Sequence, residues 1–201
     1  ISLHYYTNIG GWVGSKTSAT QFSDATYYTT LSKTIEIEEV LQKHIDIMDT
    51  IDPEGRVDLL LDEWGTWFDV EPGTNPGHLY QQNTMRDAIV AALNFDIFHK
   101  YTRRLKMANI AQVVNVLQAM ILTNETEMVL TPTYHVFEMY NVHQNAEFVA
   151  SDILTKTVKS DRKCPVPEVD ATVSRKDGVM NISLVNTDLK KAKKVLITFD
   201  N

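Results

Sequence analysis

Cysteine is almost missing from this chain: one residue, Cys164, in 201. That excludes an internal disulfide and any cysteine-rich metal site, while leaving the compartment open, because a secreted protein can also lack disulfides. No apolar run approaches the roughly 20 residues needed to cross a bilayer, and no basic, then apolar, then small-residue leader opens the sequence, so no membrane role is indicated. Basic residues are outnumbered, 19 Lys and Arg against 26 Asp and Glu, and the net charge of −7 disfavours nucleic acid as a partner. The basic cluster Lys190, Lys191, Lys193 and Lys194 is local and reads as a solvated turn and edge. Repeats and low-complexity stretches are absent. What is present is 43% hydrophobic residues, enough for a core in one large domain or two small ones. Asn124-Glu125-Thr126 and Asn181-Ile182-Ser183 match the glycosylation sequon, which matters only in a eukaryotic secreted host.

The stretch Leu59 to Gly77, LLLDEWGTWFDVEPGTNPG, passes within a few residues from aliphatic strand to acidic, aromatic, loop-forming sequence. Val57 to Leu61 is nearly unbroken aliphatic, as in a parallel strand covered on both faces. Strict alternation from there places Leu59, Leu61 and Glu63 on one face and Leu60, Asp62 and Trp64 on the other, so only one of the two acids points inward. Working residues of parallel α/β architectures sit at the carboxyl ends of strands, where Glu63 lies. A DE pair taken alone more often just ends a strand in water. The odds shift because Trp67 and Phe68 follow at once, then two turn signals, Glu71-Pro72-Gly73 and Asn75-Pro76-Gly77. An aromatic beside a carboxylate under a Pro/Gly-fixed loop suits carbohydrate, whose C–H faces stack on rings while its hydroxyls bond to acids. Trp64 reads as plain core.

Elsewhere the chain alternates strands and helices. Ile1 to Tyr6 reads as a strand that begins in mid-fold, with Ser2, His4 and Tyr6 on one face, followed by a glycine-rich loop carrying Trp12 that is longer than a tight connection needs. Ser23 or Asp24 caps a helix through Leu31, Ile35, Glu38, Leu41, Ile45 and Met48, closed by Asp52-Pro53-Glu54-Gly55; His44 reads as solvated or half-buried. The strand Val57 to Glu63 and its loop lead to a helix from Leu79 to Leu105, with His99 structural near its end. Met107 to Leu117 starts as a strand that groups Ala108, Ile110 and Gln112, where a lone glutamine is usually satisfied by backbone. Thr131-Pro132 opens a further helix. Beyond Gln144 the period drops to two: Val169 to Val173, an Asp177-Gly178 hairpin, Met180 to Leu184, then Val195 to Phe199, with Pro165-Val166-Pro167 as an edge or connector. Three strand–helix units are a piece of a parallel α/β fold, about three of the eight in a complete barrel. The division is residues 1–143, the strand–helix units, and 144–201, a separate antiparallel β unit.

Several motifs in order, LLLDEWGTWFDVEPGTNPG, LYQQNTMRDAIVAALN, ANIAQVVNVLQAMILT and TPTYHVFEMY, together resemble the family 51 glycoside hydrolases, the α-L-arabinofuranosidases. The resemblance is close over residues 1 to 143 and is one of pattern beyond. It implies the last three βα units of a (β/α)₈ TIM barrel followed by part of an antiparallel β-sandwich, and a retaining enzyme that removes terminal arabinofuranosyl groups from arabinan and arabinoxylan. It makes Glu63 the nucleophile, His4 and Tyr6 the sixth-strand residues that attend it, Trp67 a sugar contact and Gln112 a sugar-binding eighth-strand glutamine. The family's acid/base comes from an Asn-Glu pair on the fourth strand. Asn124-Glu125 follows the eighth strand and does not fill that role, so the acid/base lies outside these residues. No metal and no cofactor is expected; the implied partners are an arabinose-containing polysaccharide or oligosaccharide and further copies of the same subunit. Two other readings start from the antiparallel tail and from the family's tendency to assemble: a non-catalytic carbohydrate-binding module, and an oligomerisation module.

Overall fold

Three parallel strands form the centre of the computed structural model, which describes residues 1–199. They are β1 (Ser2–Thr7), β2 (Leu59–Thr66) and β3 (Leu105–Ile110), hydrogen-bonded in that order with β2 in the middle. The helices α1 (Asp24–Ile35) and α2 (Ile37–Ile51) connect β1 to β2, α3 (Met85–Lys100) connects β2 to β3, and α4 (Pro132–Tyr140) follows β3. Leu59, Leu61 and Trp64 of β2 face these helices and are fully buried with Leu31, Leu41, Leu93 and Ile97. Trp64 packs against Phe95, Phe98 and Phe137, the last ring stacked 6.1 Å away. Each Å² of apolar surface this sheet–helix layer removes from water contributes about 25 cal/mol.

The expected strand runs two residues late at its start and three at its end. Val57 is exposed and its amide donates to the Asp52 carboxylate at 2.8 Å, so pairing begins only at Leu59. The single helix expected across Leu31 to Met48 breaks at Glu36, a buried carboxylate gripped by Arg162 through two 2.8 Å hydrogen bonds and by Lys33 at 3.1 Å. Burial raises that carboxyl's affinity for a proton, and the two cations outweigh it, leaving the group below its usual range. The helix expected from Leu79 to Leu105 is shorter at both ends, because Thr84 and Asp87 form a capping box and Tyr101 closes it. Its apolar stripe underestimates its burial. Ala88, Val90, Ala91, Leu93, Asp96 and Ile97 are all buried, since α1, α4, the sheet and the C-terminal strands surround it. Thr131 caps α4 with Pro132 at its first turn.

An unexpected hairpin, β4 (Ile121–Thr123) with β5 (Met128–Leu130), separates β3 from α4, and Asn124 makes its turn by accepting from the Thr126 and Glu127 amides. The C-terminal part contains β6 (Glu147–Phe148), a short pair β7 (Thr157–Val158) and β8 (Val166–Pro167), and the long hairpin β9 (Val169–Lys176) with β10 (Val179–Asn186), turned at Asp177-Gly178. This hairpin leans on α3, where His99 Nδ1 meets Thr172 Oγ1 at 2.9 Å, and the Tyr27 hydroxyl donates to the Thr187 carbonyl at 3.1 Å. The strand expected at Val195 to Phe199 is not formed: the segment has no ladder partner among the described residues, and Leu196 and Phe199 are exposed. Nor is the lysine cluster wholly solvated, for Lys193 lies between Glu168 and Asp188.

Candidate active site

The local event that builds the site is a β-bulge. Along β1 and β2, Leu3 pairs with Leu61 and His4 with Glu63, so Asp62 is an extra residue that advances the side-chain phase by one. β3 registers the same irregularity, with Ala108 opposite Leu61 and Ile110 opposite Trp64. Strict alternation therefore fails after Leu61. Trp64, rather than Glu63, joins Leu59 and Leu61 among the helices, and Glu63 emerges on the opposite face beside His4 and Tyr6.

There the Tyr6 hydroxyl donates to Glu63 Oε2 at 2.6 Å, and His4 Nδ1 stands 3.6 Å from the same oxygen. Burial first, and then the Glu63 hydrogen bond and charge, push the Tyr6 hydroxyl well above its ordinary range. The phenol therefore stays a donor. Among the described residues no hydrogen bond reaches Oε1, which leaves one carboxylate oxygen fixed and the other open toward solvent. Glu63 is half-exposed.

Trp67 follows directly. Its amide donates to the Thr7 carbonyl at 3.2 Å, and its ring lies 4.9 Å from that of Tyr6 at 72°. Gln112 sits just beyond β3, beside the end of β2, where the Ala111 amide reaches the Trp64 carbonyl at 2.9 Å. Its own side chain is exposed and makes no hydrogen bond to Glu63, His4, Tyr6 or Trp67. Four of the five candidates are thus linked in series, His4 to Glu63, Glu63 to Tyr6 and Tyr6 to Trp67, and the fifth stands apart at the same end of the sheet. A different glutamine is satisfied by backbone: Gln118, whose Oε1 accepts from the Thr66 amide at 2.8 Å and whose amide group donates to the Asp87 carbonyl and to Thr133.

Gln118 belongs to a buried network under the site that the expected site residues did not include. Thr66 Oγ1 donates to Asp87 at 2.6 Å, and Gln81 bridges Thr66 Oγ1 to the Phe68 amide. Burial pushes the Asp87 carboxyl up, against the hydrogen bonds of Thr66 and Thr84. Arg86 is buried between the rings of Phe22 and Phe68, each 3.8 Å from its guanidinium, and reaches the Ser18 and Ala19 carbonyls. Burial lowers it to about 10. These contacts hold the loops after β1 and β2 against the start of α3, which fixes Trp67. Their only trace in the sequence was Thr84 three residues before Asp87. Among the described residues no group of three or more His, Cys, Asp and Glu is arranged to hold a metal ion.

A family model described as the alpha-L-arabinofuranosidase C-terminal domain matches residues 62–200. The chain belongs to the family 51 arabinofuranosidases, as a C-terminal part. An intracellular exo-alpha-L-arabinofuranosidase of Bacteroides ovatus is 59% identical over 198 residues, 98% of this chain and 38% of that protein. Among solved structures, the GH51 arabinofuranosidase from Xanthomonas axonopodis pv. citri superposes with a TM-score of 0.89 at 50% identity, over 93% of this chain and 38% of that one. The alpha-L-arabinofuranosidase from Thermotoga maritima, solved as an arabinose complex, gives 0.66 at 28% identity, over 92% of this chain and 37% of that one. The chain therefore spans well under half the length of these relatives.

Proposed function

We propose that this chain supplies the nucleophile and part of the sugar pocket of a retaining α-L-arabinofuranosidase that hydrolyses terminal arabinofuranosyl linkages of arabinan or arabinoxylan, within the last three βα units of a (β/α)₈ barrel. One observation carries the reading: Glu63, at the carboxyl end of the central parallel strand, is held by the Tyr6 hydroxyl at 2.6 Å beside His4 and next to the Trp67 ring. Family membership supplies the sugar.

In this reading a Glu63 oxygen attacks the anomeric carbon as the glycosidic oxygen leaves with a proton, and water then displaces the carboxylate with net retention. Tyr6 keeps the carboxylate in one rotamer and gives it no proton. Trp67 offers an apolar wall to the sugar's C–H face. The chemistry needs a second carboxyl about 5–5.5 Å away. In the β2 loop, Asp69 is taken by the Ser15 hydroxyl and the Lys16 amide, and Glu71 by the Gln82 amide; in this reading the acid/base is the family's Asn-Glu glutamate, from a segment other than these residues.

The test uses the full-length protein. Glu63→Gln should lower kcat for arabinose release by at least roughly 10³-fold, and proton NMR of the unsubstituted reaction should show the α-anomer formed first. Activity that survives the substitution would overturn the assignment.

A further inference from the structure

An aromatic series runs outward from the carboxylate and ends on a residue the chemistry above does not use. Tyr6 touches Glu63, Trp67 lies 4.9 Å from Tyr6, and Trp12 lies 5.5 Å from Trp67 at 87° and 6.5 Å from Tyr6. Perpendicular contacts occupy an edge or a single face of a ring, and Trp12 remains 70% exposed. Val13, beside it, is 92% exposed. Among the described residues nothing covers this apolar surface, and large apolar surface beside a site marks a place of contact.

The loop that carries Trp12 is tied down. Asn8, itself buried, donates to the Gly11 carbonyl at 2.8 Å and accepts from the Gly10 amide at 3.1 Å. A side chain at Gly10 would run into the Ser15 carbonyl, so the two limbs of the loop touch there. Asp69, two residues after Trp67, accepts from the Lys16 amide at 2.8 Å and from the Ser15 hydroxyl, and its amide donates to the Thr17 carbonyl at 2.9 Å. Trp12 is thus fastened on both sides to the segments that hold Tyr6 and Trp67. Folding rather than binding bears the cost of holding it in place.

We propose that Trp12 is the platform for the sugar on the leaving-group side of the scissile bond, the unit of the polysaccharide from which the terminal arabinofuranosyl group is cut. This rests on the reading of Glu63 as nucleophile. A pocket that takes one terminal sugar uses Tyr6, which touches the carboxylate, and Trp67, the ring against Tyr6. The next open ring outward meets the next sugar, whose C–H face matches an uncharged aromatic surface.

The experiment compares two substrates in the full-length protein, methyl α-L-arabinofuranoside, which has no ring beyond the scissile bond, and a linear arabino-oligosaccharide. Trp12→Ala should lower kcat/KM on the oligosaccharide about tenfold, the change that ~1.4 kcal/mol of lost contact produces, and leave the methyl glycoside within about twofold; Trp12→Phe should keep most of the oligosaccharide activity. Equal losses on both substrates would mean that Trp12 packs against another part of the enzyme, and no loss on either that it contacts nothing; each result overturns the platform alone. If the unsubstituted protein cleaves neither substrate, the assignment of Glu63 falls and the platform with it.

Discussion

Tyr6 gives Glu63 its one hydrogen bond from a described side chain, and burial keeps that phenol protonated. The carboxylate is therefore restrained at one oxygen by a neutral donor, a contact that orients it and, under the proposed role, leaves the other oxygen's electron pair available for attack. Removing the donor while keeping the ring tests this at the scale of one atom. In the full-length protein, Tyr6→Phe should reduce kcat by about 10- to 100-fold, the equivalent of ~1.5–3 kcal/mol for a hydrogen bond to a charged acceptor, with the melting temperature nearly unchanged. Steady-state kinetics and calorimetry on the same preparation check both halves. A rate equal to the parent's would mean that other groups orient Glu63.

The element that matters most is β2, because its bulge decides which residue stands beside His4 and Tyr6 and its end must approach β3 closely. Gly65 carries that approach. Its φ is +143°, and a Cβ there would lie 3.3 Å from Gln118 Cβ and Oε1 and 3.4 Å from the Ala111 carbonyl. Gln118 cannot yield easily, since it is buried and holds the Thr66 amide, the Asp87 carbonyl and Thr133 together. Gly65→Ala should therefore destabilise the full-length protein by ~1–3 kcal/mol, through backbone strain and a displaced glutamine, and lower activity as Trp67 shifts. Denaturant unfolding checks the first effect; an unchanged midpoint would show that the end of β2 accommodates a methyl group.

At the scale of the molecule, the helices of the parallel sheet meet the C-terminal strands around α3, and that junction is rich in buried titratable groups. Asp96 accepts from the Tyr140 hydroxyl at 2.9 Å; burial first, and then the Asp170 charge, raise it to about 8. The folded protein thus keeps a proton that the unfolded chain releases near the ordinary carboxylate value of about 3.9, so this group's contribution to stability is lost as pH rises across that interval. Asp170, raised by burial, acts in the same direction. His99 does the opposite: burial, and then the His143 charge, lower it to about 4, so stability is lost as pH falls below its ordinary value of about 6.5. Between about 6.5 and 8 Asp96 titrates without that opposition, and stability should decline with rising pH. Scanning calorimetry of Asp96→Asn should show a shallower decline over that interval than the parent; equal slopes would place the effect on other groups.

Composition and local pattern were enough to determine much of this protein. Cap residues such as Thr131 and Ser23, the Asp177-Gly178 turn and the aliphatic opening of β2 act through neighbours in the chain, so their signals are local and readable. The likeness of several ordered motifs to family 51 carried the family. Tertiary structure alone decided the face that Glu63 occupies, because a bulge depends on the register of two partner strands, and periodicity within one strand is blind to it. It also decided that Gln118, and not Gln112, is the glutamine satisfied by backbone, and that Arg86, Asp87 and Gln81 brace the site, since polar groups distant in sequence meet only once the core has closed around them. The tail at Val195 to Phe199 shows the same limit from the other side: an apolar run becomes a strand only where another strand offers it hydrogen bonds, and among the described residues none does.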